Sequence, residues 1–177
     1  MLNPPIFDGQ PDFSDLPWHL PLEEWSGVCE RLEELPRGES RHTVVFVNYS
    51  GELYAIKEMP GSLAETEYEL LASFQKSNIQ AVTPVGWKQS DYPHVPRRGL
   101  LVTHYLDHSI PYRTLFRHGG LERYRNHLLD AIAGLLVQLH LAGVFWGDCS
   151  LSNTLFRRDA GALQAYLVDA ETAEIHP

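Results

Sequence analysis

Apolar positions change their period several times along this chain, and each change predicts an element. Residues 43–48 and 53–59 are β-branched and aromatic runs separated by Tyr49-Ser50-Gly51-Glu52. Such a pair reads as a β-hairpin, with Lys57 on its return strand. Pro60-Gly61 breaks the second strand. Ser62 then offers an N-cap, with Glu65 completing a capping box. Leu63, Glu67, Leu70, Leu71 and Phe74 follow at helical spacing. Two further apolar runs, 82–87 and 100–106, predict strands flanking a Pro-rich loop that holds Arg97 and Arg98. Residues 121–141 predict the longest helix: Leu121, Tyr124, Leu128, Ile132, Leu135, Leu136 and Leu139 form a wide stripe that calls for burial. Short strands are expected at 154–158 and 165–169. Toward the N-terminus, 20–35 predicts a short helix with Leu22, Trp25, Val28 and Leu32 near one face. Residues 1–20, rich in Pro, Asp and aromatics without a period, read as an extended arm.

Composition narrows the function classes. The 177 residues, 44% of them hydrophobic, can build one compact domain or two small lobes. A net charge of −9 argues against nonspecific binding to nucleic acid or an anionic membrane, which needs clustered positive charge. Two cysteines, Cys29 and Cys149, make a disulfide scaffold improbable. The first residues lack the pattern of a signal peptide, and no apolar run of about 18 residues suggests a membrane span. A cytoplasmic location is expected.

Candidate chemistry concentrates late in the chain. Residues 146–153 read Trp-Gly-Asp-Cys-Ser-Leu-Ser-Asn, and Leu-Val-Asp closes the apolar run at 167–169. Asp148 can accept a hydroxyl proton. Asn153 and Asp169 can offer oxygen to a hard cation such as magnesium. This is the layout of a phosphoryl-transfer site. A lone Gly-Asp is more often a turn; the spacing to Asn153 and the flanking strands raise the functional reading. Upstream, Tyr54-Ala55-Ile56-Lys57 supplies a strand lysine for nucleotide phosphates. The bland alternative is a surface lysine on an edge strand. A lysine drawn into a cleft should meet a carboxylate; Glu67 fits best, with Glu69 and Glu65 as fallbacks. No glycine-rich phosphate cradle is visible. Arg37, Gly38, Ser40, Arg41 and His42 could contact phosphates, or could form a solvated turn. His140 reads as a helix-end brace. Cys149, beside Asp148, reads as packed and not nucleophilic.

Taken together, Ala55-Ile56-Lys57, Glu67, Gly147-Asp148 with Asn153, and Asp169 resemble the protein-kinase-like superfamily from about residue 36 onward. Within it the chain looks more like the lipopolysaccharide (Kdo/heptose, WaaP-type) kinases, and is similar to a related bacterial family of domain-of-unknown-function proteins. The resemblance implies an α+β, two-lobed kinase-like fold: an N-terminal arm and short helix (1–35), an N-lobe of antiparallel sheet plus helix (36–106), and a truncated, mainly helical C-lobe (107–177). It implies that Lys57 binds the α- and β-phosphates of ATP and pairs with Glu67. Asp148 would be the base, and Asn153 and Asp169 the Mg²⁺ ligands. Thr103 would back the adenine pocket, His104, Tyr105 and Leu106 would form the hinge, and Ala55 and Leu155 would sandwich the base. The acceptor would be a small molecule or glycan.

Four departures qualify this picture. Trp146 stands where the superfamily usually has His, altering the brace of the catalytic loop. Ser150 stands where protein kinases typically have Lys, favouring a non-protein acceptor. Asp169 is followed by Ala170-Glu171, not Phe-Gly, so a protein-kinase in/out switch is not expected. Only eight residues follow Asp169 (169 to 177), so a missing C-terminal region or a partner subunit is expected to cover an apolar C-lobe surface. The rival function is a nucleotide-binding pseudokinase or interaction module.

Overall fold

The computed structural model describes residues 2, 10–35, 41–90, 92, 97–116 and 120–176, without the side chains of 116 and 120–123. The chain divides into two compact units, Met1–Glu69 with Thr83–Tyr105, and Leu70–Val82 with Leu106–Pro177. The architecture is α+β with antiparallel sheets.

The first unit is built on a five-stranded antiparallel sheet. Its strands are β1 (Leu32–Glu33), β2 (Thr43–Tyr49), β3 (Glu52–Pro60), β4 (Pro84–Gln89) and β5 (Arg98–His104), in the order β1-β2-β3-β5-β4. Alternation along β2 and β3 sends Val45, Val47, Tyr49, Tyr54 and Ile56 to one face, where all are buried. The opposite face receives Val44, Phe46, Ala55 and Lys57, which the register sets in two cross-strand pairs, Val44 with Lys57 and Phe46 with Ala55. Ala55 and Lys57 sit in turn opposite Thr103 and Leu101 of β5. The helix α1 (Leu63–Lys76) begins where expected; the Ser62 carbonyl accepts from the amides of Glu65 at 3.1 Å and Thr66 at 3.2 Å.

The buried face of this sheet is covered by the N-terminal segment. Phe13, Leu16, Leu22 and Trp25 are buried in one cluster with Val47, Tyr54, Ile56, Leu100 and Val102. Phe13 packs edge-on against Tyr49 and Tyr54, with ring centres 4.9 and 5.0 Å away. Full burial of side chains such as Phe13, Leu16 and Leu22 stabilises by roughly 1.5–3 kcal/mol each. The helix expected over 20–35 does not form. Pro21 is extended, a single 3-10 turn spans Leu22–Glu24, Gly27 takes φ +84, and β1 pairs Leu32 and Glu33 with Val47 and Phe46. A positive φ suits glycine and interrupts a right-handed helix. Tertiary partners compete as well: the Leu22 amide donates to Glu58 Oε2 at 2.9 Å, and Arg31 donates to Asp15 at 2.8 Å. Glu58, buried on β3, also accepts from Arg98 Nε at 3.1 Å and the Tyr92 hydroxyl at 3.4 Å. Arg98, expected in a loop, is thus the first residue of β5.

The second unit contains β6 (Ile110–Pro111), α2 (Tyr112–Phe116), α3 (Gly120–Leu141), β7 (Val144–Trp146), β8 (Thr154–Asp159), β9 (Ala162–Leu167) and β10 (Ala173–Ile175). They form a three-stranded sheet, β6-β8-β9, and a two-stranded one, β10-β7. The predicted stripe of α3 is buried at its centre through Leu128, Leu135 and Leu139. A second row on the same helix faces solvent: Leu129 is 57% exposed, Val137 56% and Leu141 84%. β9 ends two residues before Asp169, so that residue sits in the following loop rather than in the strand. No helix among the described residues is long and apolar enough to cross a membrane.

Candidate active site

Of the residues singled out from the sequence, Lys57, Glu67, Ala55, Thr103, His104, Tyr105 and Arg41 lie in the first unit. Arg37 and Gly38 lie outside the described residues. Lys57 leaves the half-buried strand β3 on the face opposite the Phe13 cluster. Its Nζ lies 2.7 Å from Glu67 Oε2 and donates to Oε1 at 2.9 Å. The Glu67 side chain is fully buried and that of Lys57 is 13% exposed, so each charge depends on the other in a poorly solvated place. Thr103, opposite Ala55 in the ladder, is buried. The end of β5, where the hinge was expected, is tightly held: the His104 amide donates to Thr83 O at 2.9 Å and the Tyr105 amide to Leu53 O at 2.9 Å. The His104 ring lies 3.0 Å from Gln10 of the N-terminal segment. Phe46, which the sequence reading passed over, meets Tyr105 edge-on at 5.5 Å. Its signal was available: an aromatic two places after Val44 shares the face of Ala55. Arg41 is exposed just before β2.

Leu106, Asp148, Asn153, Leu155 and Asp169 lie in the second unit. Register organises them. Thr154 at the start of β8 pairs with Leu167 at the end of β9, and the Val168 amide donates to Asn153 O at 3.0 Å. Asn153 and Asp169 are therefore carried at the same end of one ladder. Asn153 Nδ2 donates to the Asp148 carbonyl at 3.0 Å. That amide hydrogen bond ties the loop carrying Asp148 to the start of β8. Trp146 is buried, and its indole N–H donates to the Asp169 carbonyl at 3.1 Å. The altered brace anticipated at this position thus still ties the loop to Asp169. Asp169 Oδ1 accepts from the Glu171 amide at 3.2 Å. Leu155 follows on β8, half-buried, opposite Tyr166.

One further residue had no sequence signal. Thr172 accepts from the Asp148 amide through Oγ1 at 3.0 Å and from the Gly147 amide through its carbonyl at 3.2 Å. Only glycine tolerates this approach at 147, since a Cβ there would lie 2.8 Å from the Thr172 carbonyl oxygen. Cys149 is exposed rather than packed. Partial desolvation and the neighbouring Asp148 carboxylate push its thiol above the ordinary value, which keeps it a poor nucleophile. His140 is exposed, and its carbonyl accepts from the Gly143 amide at 3.0 Å.

No curated protein matches the chain. Among solved structures, WaaP in complex with acyl carrier protein superposes with a TM-score of 0.58 at 17% identity, covering 82% of this chain and 62% of that one. The BubR1 kinase domain superposes with a TM-score of 0.57 at 14% identity, covering 80% of this chain and 49% of that one. The fold is therefore protein-kinase-like, and this chain spans less than two thirds of either structure's length. A family model describing the lipopolysaccharide kinases matches residues 44–176, which include Lys57, Asp148, Asn153 and Asp169. This chain belongs to the lipopolysaccharide kinase (Kdo/WaaP) family.

Proposed function

We propose that this chain is an ATP- and Mg²⁺-dependent phosphotransferase acting on a hydroxyl of a sugar-like or small-molecule acceptor. The observation that carries the reading is the tethered loop of the second unit. Asn153 clamps the Asp148 carbonyl and Trp146 clamps the Asp169 carbonyl, so the proton acceptor and both oxygen donors are held in one framework. The donor set fits a hard cation: a side-chain amide oxygen and a carboxylate, with no thiolate or imidazole among them. Bound there by Asn153 and Asp169, magnesium would neutralise charge on the nucleotide phosphates.

Each residue then has a distinct task. Lys57, aligned by Glu67, holds the α- and β-phosphates. Asp148 accepts the proton of the acceptor hydroxyl while its oxygen bonds to the γ-phosphorus and the bond to the β-bridging oxygen breaks, releasing ADP. With the amides of His104 and Tyr105 already committed, base reading falls to Leu106 and the hinge carbonyls. Thr103 would back the adenine pocket, Ala55 and Leu155 would sandwich the base, and Arg41 would reach the phosphates.

The test separates base from metal ligand. Asp148→Asn should retain nucleotide affinity yet lose turnover by roughly 10²–10⁴-fold, the usual worth of a general base. Asp169→Asn should weaken magnesium-dependent nucleotide binding itself. Equal ADP release from wild type and Asp148→Asn would instead support a nucleotide-binding module without transfer.

A further inference from the structure

We propose that Thr172 is a positioning residue for Asp148, so that the segment following Asp169 sets the geometry of the base. The proposal rests on the transferase reading above. Thr172 holds two successive amides of the loop that presents Asp148. Its hydroxyl oxygen takes the Asp148 amide at 3.0 Å, and its carbonyl takes the Gly147 amide at 3.2 Å. Two consecutive peptide planes are thereby fixed from one residue. The Asp148 Cα, which follows them, is thereby held in place, and with it the point from which the carboxylate extends.

The anchor is itself fixed on both sides. The Ala173 amide donates to Ala170 O at 2.9 Å, closing the turn that contains Thr172. Ala173 then enters β10 and pairs with Trp146 of β7. Trp146 in turn reaches Asp169 through its indole. Base and proposed metal ligand are therefore joined by a closed circuit, from Asp169 through Thr172 to Asp148 and back through Trp146. Glycine at 147 is what lets the circuit close. A Cβ there would approach both the carbonyl oxygen of Thr172, at 2.8 Å, and its Cβ, at 3.4 Å. Such a circuit predicts that small changes at 172 alter turnover without altering nucleotide binding, because no atom of Thr172 is needed to hold the nucleotide.

Valine and serine dissect the contact. Thr172→Val keeps the branched shape and removes the acceptor. Thr172→Ser keeps the acceptor and removes the methyl. With Mg·ATP and water as the acceptor, Thr172→Val should lower kcat for ADP release by roughly 10- to 100-fold, the scale of misplacing a reacting group by about 1 Å. The KM for ATP should stay unchanged, as for an interaction used in the reaction rather than in ground-state binding. Exchange of the Asp148 amide hydrogen, followed by NMR, should accelerate in the valine variant. Serine should restore both readouts. Unchanged kcat and unchanged amide exchange in Thr172→Val would overturn the proposal, as would a serine variant that behaves like valine. If the wild type turns over no ATP with water as acceptor, the kcat arm is silent and the transferase reading is left to its own test. The Asp148 amide then decides separately: protection lost in valine and regained in serine upholds the positioning role, and an unprotected wild-type amide refutes it.

Discussion

Lys57→Met is the sharpest probe of this chain, because the structure makes it a test of stability and of binding at once. The ammonium lies within 2.9 Å of both Glu67 oxygens, and the Glu67 side chain has no solvent exposure. Removing one partner of such a pair deprives the other charge of a close counter-ion in a poorly solvated site, at a cost of about 3–5 kcal/mol. In a chain of this size each kcal/mol moves Tm by about 2–4 °C, so the single variant should melt roughly 6–20 °C lower. Loss of nucleotide binding in that variant would then be ambiguous. The double variant Lys57→Met, Glu67→Leu resolves this. Replacing both charges by apolar groups of similar size is commonly neutral or stabilising. It should therefore recover most of the lost stability in urea denaturation. Wild type with Mg·ATP at a hundredfold excess over Kd should gain about 2.7 kcal/mol, and the recovered double variant should gain nothing. Equal stability of single and double variants would refute the energetic argument. A full nucleotide-induced gain in the double variant would remove Lys57 from the phosphate site.

Two further outcomes follow from other parts of the molecule. Burial alone would push the Asp15 carboxyl up, but the Tyr49 hydroxyl and the Arg31 guanidinium more than offset it, holding the group below its ordinary 3.8. A carboxyl depressed by folding stabilises fully above its unfolded value and loses that contribution as pH falls through the folded one. Asp15→Asn should therefore be less stable than wild type near neutrality, with the gap closing in acid below the unfolded value; a gap that persists unchanged in strong acid would contradict this. On α3, the solvent-facing row of Leu129, Val137 and Leu141 should drive concentration-dependent association, seen as a rising apparent mass in light scattering and suppressed by Leu129→Glu with Val137→Glu; a monomer at every concentration would show that the row needs no cover.

The hairpin of β2 and β3 was legible because strict alternation and β-branched residues act locally. The spans of α1 and α3 were legible because helical period and end signals agree. The N-terminal segment was not. Leu22, Trp25 and Leu32 recur at a spacing compatible with a helix, yet the partners that decide their conformation are remote: Glu58 for the Leu22 amide, Val47 for Leu32. No local pattern reports a bond across 36 positions. The three-residue strands β7 and β10 were missed for the same reason, since neither has enough length to show a period. At the candidate site, the pairing of Lys57 with Glu67 could be anticipated because a strand residue and a helix face each have a defined direction. The contact of Thr172 with Asp148 could not, because it depends on how a loop closes.

Trp146 shows what such a loop demands of its chemistry. A histidine brace has two ring nitrogens, each needing a partner, and it changes charge near neutrality. An indole has one donor and no charge to gain. Buried with that donor on the Asp169 carbonyl, Trp146 satisfies its only polar atom and leaves the rest of its ring for packing. The substitution costs the loop nothing in hydrogen bonding and removes a titrating group from beside the proposed metal ligand. At this departure from the superfamily pattern the structure has a connection to the Asp169 carbonyl, made by a side chain whose state does not depend on pH. The departure from the superfamily pattern at this position is therefore a poor argument for an inactive domain. The indole still ties β7 to the Asp169 carbonyl.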